Sequence, residues 1–217
     1  MKLFICTLPY HNVPIAAESR KALKHLDDTY NMVITYDPAL EDPLDRITWR
    51  YQTARNWFLS TEADLFVSIE DDMVVPPDTL ERLIGVLNAG ANIAYGLYAW
   101  RHNLPNPDWN AHLAIARPGV SLRRFPKYAT ECWGSTIDVA GLGLGCTAIK
   151  REVLEQIRFE RRGPEGCDFY FALDAIQAGF IQRCDLGLIC GHYLVYEGKP
   201  AIVYPALNEF MCRVVVL

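Results

Sequence analysis

The sequence predicts an α/β protein with a mostly parallel central sheet flanked by helices and a small α+β C-terminal part. In the first hundred residues, four apolar runs alternate with three segments of helical periodicity. This alternation produces β-α-β crossovers and therefore parallel strands. Acidic residues and prolines follow the apolar runs, at the strand ends where such sheets bind ligands. From residue 98 the strict alternation is lost, and the order that returns at 135 is less regular, which indicates the change in architecture.

Each element has a local signal. The expected strands span residues 2–7, 31–36, 64–69 and 91–98, each a short apolar run. The expected helices span 15–26, about 44–59, and a segment that opens with a capping box at Asp78 to Glu81 and ends at Gly90.

The second half is less regular. Residues 98–130 are expected to form loops and a short hairpin, where functional residues are common. Order returns at 135–149, followed by a short helix at about 150–157, a helix from Asp168 to Gly179, short strands at 180–183 and 186–189, and a mixed tail from 201. The glycine run at 141–145 is not a dinucleotide fingerprint, because it leads into a strand rather than from a strand into a helix.

Composition narrows the function classes. The net charge is −5 and no basic run is present, which argues against duplex nucleic acid as a partner. No apolar stretch reaches the roughly 18 residues of a membrane span, and the N-terminus becomes polar too soon for a signal peptide. The seven cysteines form no CxxC pair, a pattern typical of buried free thiols in a cytoplasmic protein.

The acidic triplet Glu70, Asp71 and Asp72 comes directly after the third expected strand. Three adjacent carboxylates repel one another and are costly to bury without a cation. An oxygen-only cluster suits Mg²⁺ or Mn²⁺, which would in turn hold a phosphate. The alternative is an ordinary solvated acidic turn.

Six short motifs occur in a consistent order between Ala54 and His192. They are Ala54-Arg55-Asn56, the acidic run Ile69 to Asp72, Pro76 to Leu80, Gly143 to Arg151, Gly166-Cys167-Asp168, and Ala178 to Phe180. Together they resemble the motifs of GT-A fold (nucleotide-diphospho-sugar transferase) glycosyltransferases, most of all the inverting family 2 type. The resemblance implies a single GT-A domain over 1–217, with 1–100 as the nucleotide-binding half and 101–217 as the acceptor-side half.

The resemblance also implies an activity: a hexosyltransferase that moves a sugar from a nucleotide-diphosphate donor to the hydroxyl of an unidentified acceptor. In such enzymes a DxD motif holds a divalent ion against the diphosphate, so Glu70-x-Asp72 is its equivalent here. Asp72 is then the metal ligand, with Asp71 as a substitute or assistant, and His192 completes a Mn²⁺ or Mg²⁺ site. The alternative for His192 is a core or surface histidine bonded to backbone.

Asp168 is implied as the general base that takes the proton of the acceptor hydroxyl. It is also placed to cap the following helix, and both roles can coexist. Cys167 stands where the family usually has glutamate, so a retaining outcome stays open beside the inverting one.

The remaining implied contacts are to the nucleotide sugar. The residues assigned to it are Thr7, Pro9, Asp37, Arg55, Asn56, Glu70, Asp71 and Arg101. Arg55 either pairs with a phosphate or forms a salt bridge with Glu70 or Asp71. Trp100, Trp109 and Trp133 either receive a sugar or acceptor together with Arg101, or belong to the core.

Two other functions share these features. A nucleotidyltransferase has a similar α/β front half and an acidic metal site, although residues 8–14 lack its glycine-rich, basic phosphate segment. A catalytically inactive GT-A domain would bind a nucleotide sugar or glycan without turnover.

Overall fold

The computed structural model describes residues 1–7, 32–34, 40–99, 132–207 and 212–217. The expected helix at 15–26 and the loops and hairpin at 98–130 lie largely outside these ranges. Pro9, Asp37 and Arg101, together with Trp100 and Trp109, also lie outside the described residues.

Eleven strands and four helices occur in the described part of the chain. The strands are β1 (Leu3–Thr7), β2 (Met32–Ile34), β3 (Leu65–Ile69), β4 (Met73–Val74), β5 (Ile93–Leu97), β6 (Thr136–Asp138), β7 (Cys146–Lys150), β8 (Gln182–Ile189), β9 (Gly191–Tyr196), β10 (Lys199–Pro205) and β11 (Cys212–Val216). The helices are α1 (Pro43–Ser60), α2 (Thr79–Asn88), α3 (Arg151–Gln156) and α4 (Cys167–Gln177).

The larger sheet has seven described strands in the order β2-β1-β3-β7-β5-β8-β6. The pairs β1–β2, β1–β3 and β5–β8 are parallel. β7 is antiparallel to both of its neighbours, and β6 is antiparallel to β8. The expected mixed α/β architecture with a mostly parallel central sheet is therefore confirmed, with β7 inserted in the opposite direction between β3 and β5.

Helix α1 packs on this sheet through the apolar stripe that its sequence predicts. Tyr51, Ala54 and Phe58 are fully buried and follow one another at spacings of three and four residues. The Phe58 ring lies 5.8 Å from that of Phe4 on β1 and 5.7 Å from that of Phe66 on β3. This aromatic contact fixes the helix over the first and third strands.

A second, antiparallel sheet has the described order β11-β10-β9-β4. Its strand β4 is only two residues long and pairs Met73 with His192 and Val74 with Gly191 of β9. The tail expected to be mixed thus forms regular strands. No helix in the described ranges has the length and apolarity needed to cross a bilayer.

Three local expectations change. Asp78 precedes α2 but its side chain makes no capping hydrogen bond, so the capping box is not formed. The N-cap of α4 is Gly166, and Asp168 lies inside the first turn, so Asp168 as N-cap was wrong. The two short strands expected at 180–189 form the single strand β8. Gly90 and Gly179 end α2 and α4 with positive φ, as expected.

A partly buried ion pair connects α2 to β8. Both Nε and Nη2 of Arg82 donate to the Asp185 carboxylate, at 2.9 and 2.8 Å, and Asp185 is 6% exposed. We expect Arg82→Ala to lower the free energy of unfolding by about 2 kcal/mol, because it leaves a buried carboxylate without its cation. Urea unfolding at neutral pH measures this change.

Lys2→Ala is the matched control, because it removes the exposed Lys2–Glu62 pair. Exposed pairs contribute little, so its unfolding midpoint should equal that of the wild type. Equal midpoints for Arg82→Ala and Lys2→Ala would show that the Arg82–Asp185 pair contributes no stability.

Candidate active site

The acidic triplet forms the tight connection between β3 and β4. The Met73 amide donates to the Glu70 carbonyl at 3.0 Å, which closes a turn around Asp71 and Asp72. The Glu70 amide donates to the Gly145 carbonyl at 2.9 Å, which fixes the turn to the chain just before β7. Asp71 is 5% exposed and Asp72 is 3% exposed. The turn is therefore part of the protein interior and is not a solvated acidic loop.

His192 lies beside Asp72 because of the β4–β9 pairing. Met73 is the register partner of His192, and the Tyr193 amide donates to the Asp72 carbonyl at 2.8 Å. The imidazole Nε2 is 3.3 Å from Asp72 Oδ2. Two side chains separated by 120 residues in the chain thus meet at the end of the acidic turn.

The other ring nitrogen of His192 has a defined role. Nδ1 is 2.9 Å from the Ala99 carbonyl oxygen. A carbonyl can only accept, so the proton of this bond is on Nδ1. His192 is therefore bonded to the backbone, which is the alternative that the sequence analysis gave for this residue. In this orientation its Nε2 points toward the Asp72 carboxylate.

A cavity of about 180 Å³ gathers residues from distant parts of the chain. Glu70 comes from the acidic turn, Asp168 from the first turn of α4 and His192 from β9. The other lining residues are Leu44, Ile47, Tyr51, Tyr98, Gly143, Leu144, Gly166 and Cys167. Three of the six motifs of the sequence contribute residues to this cavity: the acidic run, the glycine-bearing motif and Gly166-Cys167-Asp168.

Asp168 is half-buried as a residue, and its carboxyl group is desolvated by the protein atoms around the cavity. This desolvation raises the pKa of its carboxyl group, and hydrogen bonds from the backbone amides of Phe169 and Asp168 itself oppose the rise only in part. A carboxylate with a raised pKa is a stronger base than one in water. Gly166 makes room for it, because a Cβ at that position would lie 2.5 Å from Asp168 Oδ1.

The glycines before β7 form another part of the wall. A Cβ at Gly143 would collide with Tyr98 Oη, and one at Gly145 would lie 3.2 Å from Glu70 Oε2. The absence of side chains at these two positions lets Tyr98 and Glu70 occupy the cavity wall. This packing gives a physical reason for the glycine-bearing motif.

Sequence reasoning missed two tyrosines of the site. Tyr51 Oη donates to Glu70 Oε1 at 2.9 Å and lies 3.2 Å from Ser68 Oγ. Burial and the charge of Glu70 raise the pKa of Tyr51, so its hydroxyl stays a donor. Its place on the buried face of α1 indicated a core residue only. Tyr98 ends the fourth expected strand and gave no signal of its own.

An ion-pair cluster at the edge of the site was also missed. Arg161 Nη1 donates to Asp42 Oδ2 at 2.7 Å and to Asp45 Oδ1 at 3.0 Å. Asp42 is the N-cap of α1, and the bond from Arg161 lowers the pKa of its carboxyl group. The cluster joins the segment before α4 to the start of α1, the two elements that supply much of the cavity wall.

Among the other residues expected to contact the nucleotide, the structure describes Thr7, Arg55 and Asn56. Thr7 is buried at the end of β1. Arg55 and Asn56 do not line the cavity: Arg55 Nε donates to the Ile157 carbonyl at 2.8 Å, and Asn56 Oδ1 accepts from Gln52 and Arg55. The proposed salt bridge from Arg55 to Glu70 or Asp71 is not formed. Trp133 packs against the main core cluster.

Asp72 and His192 are the pair best placed to bind a metal ion. No group of three or more His, Cys, Asp or Glu side chains within the described ranges is close enough to form a complete site. Two adjacent ligands at ~2.1 Å from an octahedral ion are about 3.0 Å apart. The 3.3 Å between Nε2 and Oδ2 therefore suits two ligands of one ion.

Comparisons with known proteins give a fold and no family. No protein-family profile and no curated protein matches the sequence. Among solved structures, A197 from STIV is similar, with a TM-score of 0.63 and 17% identity over 100% of this chain and 94% of that chain. The chain therefore shares the fold of that protein.

Two other solved structures are similar at lower scores. CMP:2-keto-3-deoxy-manno-octonic acid synthetase in complex with CTP has a TM-score of 0.42 and 13% identity, over 85% of this chain and 89% of that one. A glycosyltransferase involved in glycosylation of the major capsid of PBCV-1 has a TM-score of 0.36 and 17% identity, over 71% and 63%. At these scores neither likeness supports an argument about activity.

The raised pKa of Asp168 predicts a specific stability effect. A carboxyl group whose pKa is higher in the folded than in the unfolded state contributes stability below its unfolded pKa of about 3.9, and this is lost as pH rises through the folded pKa. Asp168→Asn removes the ionisation, so we expect a higher unfolding temperature than wild type at pH 7. The gain should shrink as pH falls toward about 4.

Asp174→Asn is the control, on the same helix. Asp174 accepts from Arg162 at 2.7 Å in a partly exposed pair, and its loss should give no gain at pH 7. Thermal unfolding of the three proteins between pH 4 and pH 8 checks the prediction. A variant Asp168→Asn that is less stable than wild type at pH 7 would contradict it.

Proposed function

We propose that the protein is a metal-dependent glycosyltransferase of the GT-A fold, which moves a hexosyl group from a nucleotide-diphosphate donor to an acceptor hydroxyl. One observation carries the proposal: His192, whose Nε2 lies 3.3 Å from Asp72 Oδ2, and the desolvated carboxylate of Asp168 line the same cavity. The order of motifs along the chain agrees with it.

Asp168 acts as the general base. Its carboxylate accepts the proton of the acceptor hydroxyl while the hydroxyl oxygen forms a bond to the anomeric carbon. The bond from that carbon to the diphosphate oxygen breaks with its electron pair, and the nucleoside diphosphate leaves. Attack from the face opposite the leaving group gives an inverted product.

Asp72 and His192 would hold the divalent ion, Mn²⁺ or Mg²⁺, with Asp71 as a further oxygen donor of the same turn. When bound, the ion stabilises the negative charge that develops on the departing diphosphate. The backbone bond from Nδ1 to Ala99 leaves Nε2 of His192 as the nitrogen for ligation. Glu70, held by Tyr51, lines the cavity beside these groups.

The state of Asp168 favours catalysis over binding alone. A carboxylate that is desolvated lowers the stability of the folded protein at neutral pH. A domain that only binds a nucleotide sugar gains nothing from this cost, whereas a general base near neutral pH does.

Nucleotide binding is the first test. We expect thermal unfolding to shift upward with a nucleoside diphosphate or nucleotide sugar in the presence of Mn²⁺, since a ligand that binds only the folded state stabilises it. The shift should be absent with Asp72→Asn and with His192→Ala. No metal-dependent shift with any nucleotide tested would refute the proposal.

Turnover is the second test. Asp168→Asn should reduce transfer or donor hydrolysis by ~10²-fold or more while keeping the nucleotide-dependent thermal shift. Asp174→Asn should keep both. A variant Asp168→Asn with wild-type turnover would remove Asp168 from the mechanism, and formation of pyrophosphate from a nucleoside triphosphate would identify a nucleotidyltransferase instead.

A further inference from the structure

His192 is held by two consecutive residues at the end of β5. The Ala99 carbonyl accepts the proton of Nδ1 at 2.9 Å. The ring of Tyr98 meets the imidazole edge to face, with centroids 5.4 Å apart and planes at 87°. The first contact fixes the tautomer, and the second fixes the rotation of the ring about its bond to the chain.

Tyr98 is itself held by the glycines before β7. Its Oη lies where a Cβ of Gly143 would be, and 3.2 Å from where a Cβ of Gly145 would be. The Gly145 amide also donates to Tyr98 Oη at 3.4 Å. Tyr98 is 5% exposed, so the ring has little freedom to move away from His192.

These contacts form a continuous series. It leads from the glycine segment, Gly143 and Gly145, through the Tyr98 ring to the His192 imidazole and then to Asp72. The last step is the 3.3 Å separation between Nε2 and Oδ2. Each contact is between neighbours that touch. A side chain at Gly143 would press on Tyr98, and one at Gly145 on both Tyr98 and Glu70, so a change of volume there acts on His192 through the Tyr98 ring.

We propose that Tyr98 is a positioning residue, whose ring keeps His192 in the orientation that directs Nε2 toward Asp72. The proposal concerns the ring of Tyr98, because the observed contact with the imidazole is an edge-to-face contact between the two rings. The consequence for metal affinity rests on the proposed function. The consequence for the orientation of the imidazole does not.

The metal-free protein tests the positioning directly. Nuclear Overhauser contacts should place the His192 ring beside Ala99 and residue 98 in the wild type and in Tyr98→Phe. In Tyr98→Leu the edge-to-face contact is lost, so we expect the contacts between the His192 ring and Ala99 to weaken as the ring takes more than one orientation. The same His192–Ala99 contacts in Tyr98→Leu as in the wild type would overturn the proposal.

Titration with Mn²⁺, followed by the loss of the free-ion EPR signal, tests the consequence for binding. We expect Tyr98→Phe to bind with close to wild-type affinity and Tyr98→Leu to bind ~10-fold more weakly, the usual effect of losing a group that orients a ligand. Equal affinities in the two variants would contradict a positioning role. Absence of Mn²⁺ binding in the wild type would refute the proposed function, and the NMR result would still decide the role of Tyr98.

Glycine variants provide a test that leaves Tyr98 in place. Gly145→Ala introduces a methyl group 3.2 Å from Tyr98 Cζ and Oη and 3.2 Å from Glu70 Oε2, contacts that require shifts of a few tenths of an ångström. Its contacts between the His192 ring and Ala99 should weaken as in Tyr98→Leu. Gly85→Ala, where nothing lies within 4 Å of the added Cβ, is the control and should leave them unchanged. An unchanged spectrum in Gly145→Ala would show that the glycine segment does not act on His192 through Tyr98.

Discussion

The candidate site depends on the short ladder between β4 and β9. This ladder pairs Met73 with His192 and Val74 with Gly191, and it joins the acidic turn to the second sheet. A strand of two residues has no independent stability. It persists because β9 is also paired along five positions with β10, which presents β9 as a preformed edge. The turn at residues 70–72 is thereby fixed at both ends, by the main sheet and by the smaller one.

Burial of carboxylates is the energetic cost of this arrangement. Asp71 and Asp72 are almost fully buried in the turn, and Asp168 is desolvated at the cavity. Such groups lower stability unless cations or hydrogen bonds compensate them. The aromatic contacts of Phe58 with Phe4 and Phe66 supply stability at a distance from the chemistry. In many proteins a functional site lowers the stability of the fold, and packing contacts away from the site offset that loss.

Local patterns predicted those strands and helices of the first half that the structure describes, and they placed Glu70 to Asp72 at the end of a strand, because hydrophobic periodicity and turn residues are local. The strand pairings that these local patterns missed join residues far apart in the chain. The antiparallel insertion of β7 and the β4–β9 ladder join segments far apart in the chain, and no periodicity encodes either. Asp78 does not cap α2, and its carboxylate lies 3.9 Å from Arg82, which is bound to Asp185 on β8. In that case the expected cap is replaced by a side-chain contact one helical turn along, with an arginine that a tertiary ion pair holds in place.

The carboxylates in and beside the cavity differ in their surroundings. Glu70 accepts a hydrogen bond from Tyr51, which fixes its orientation, and Asp72 faces His192. Among the described residues, Asp168 accepts hydrogen bonds from backbone amides, and burial raises its pKa. Groups of one chemical type that are held in different environments can take different roles in catalysis. The proposed division of roles, with Asp168 as the base and Asp72 as a metal ligand beside an imidazole nitrogen, rests on this difference in environment.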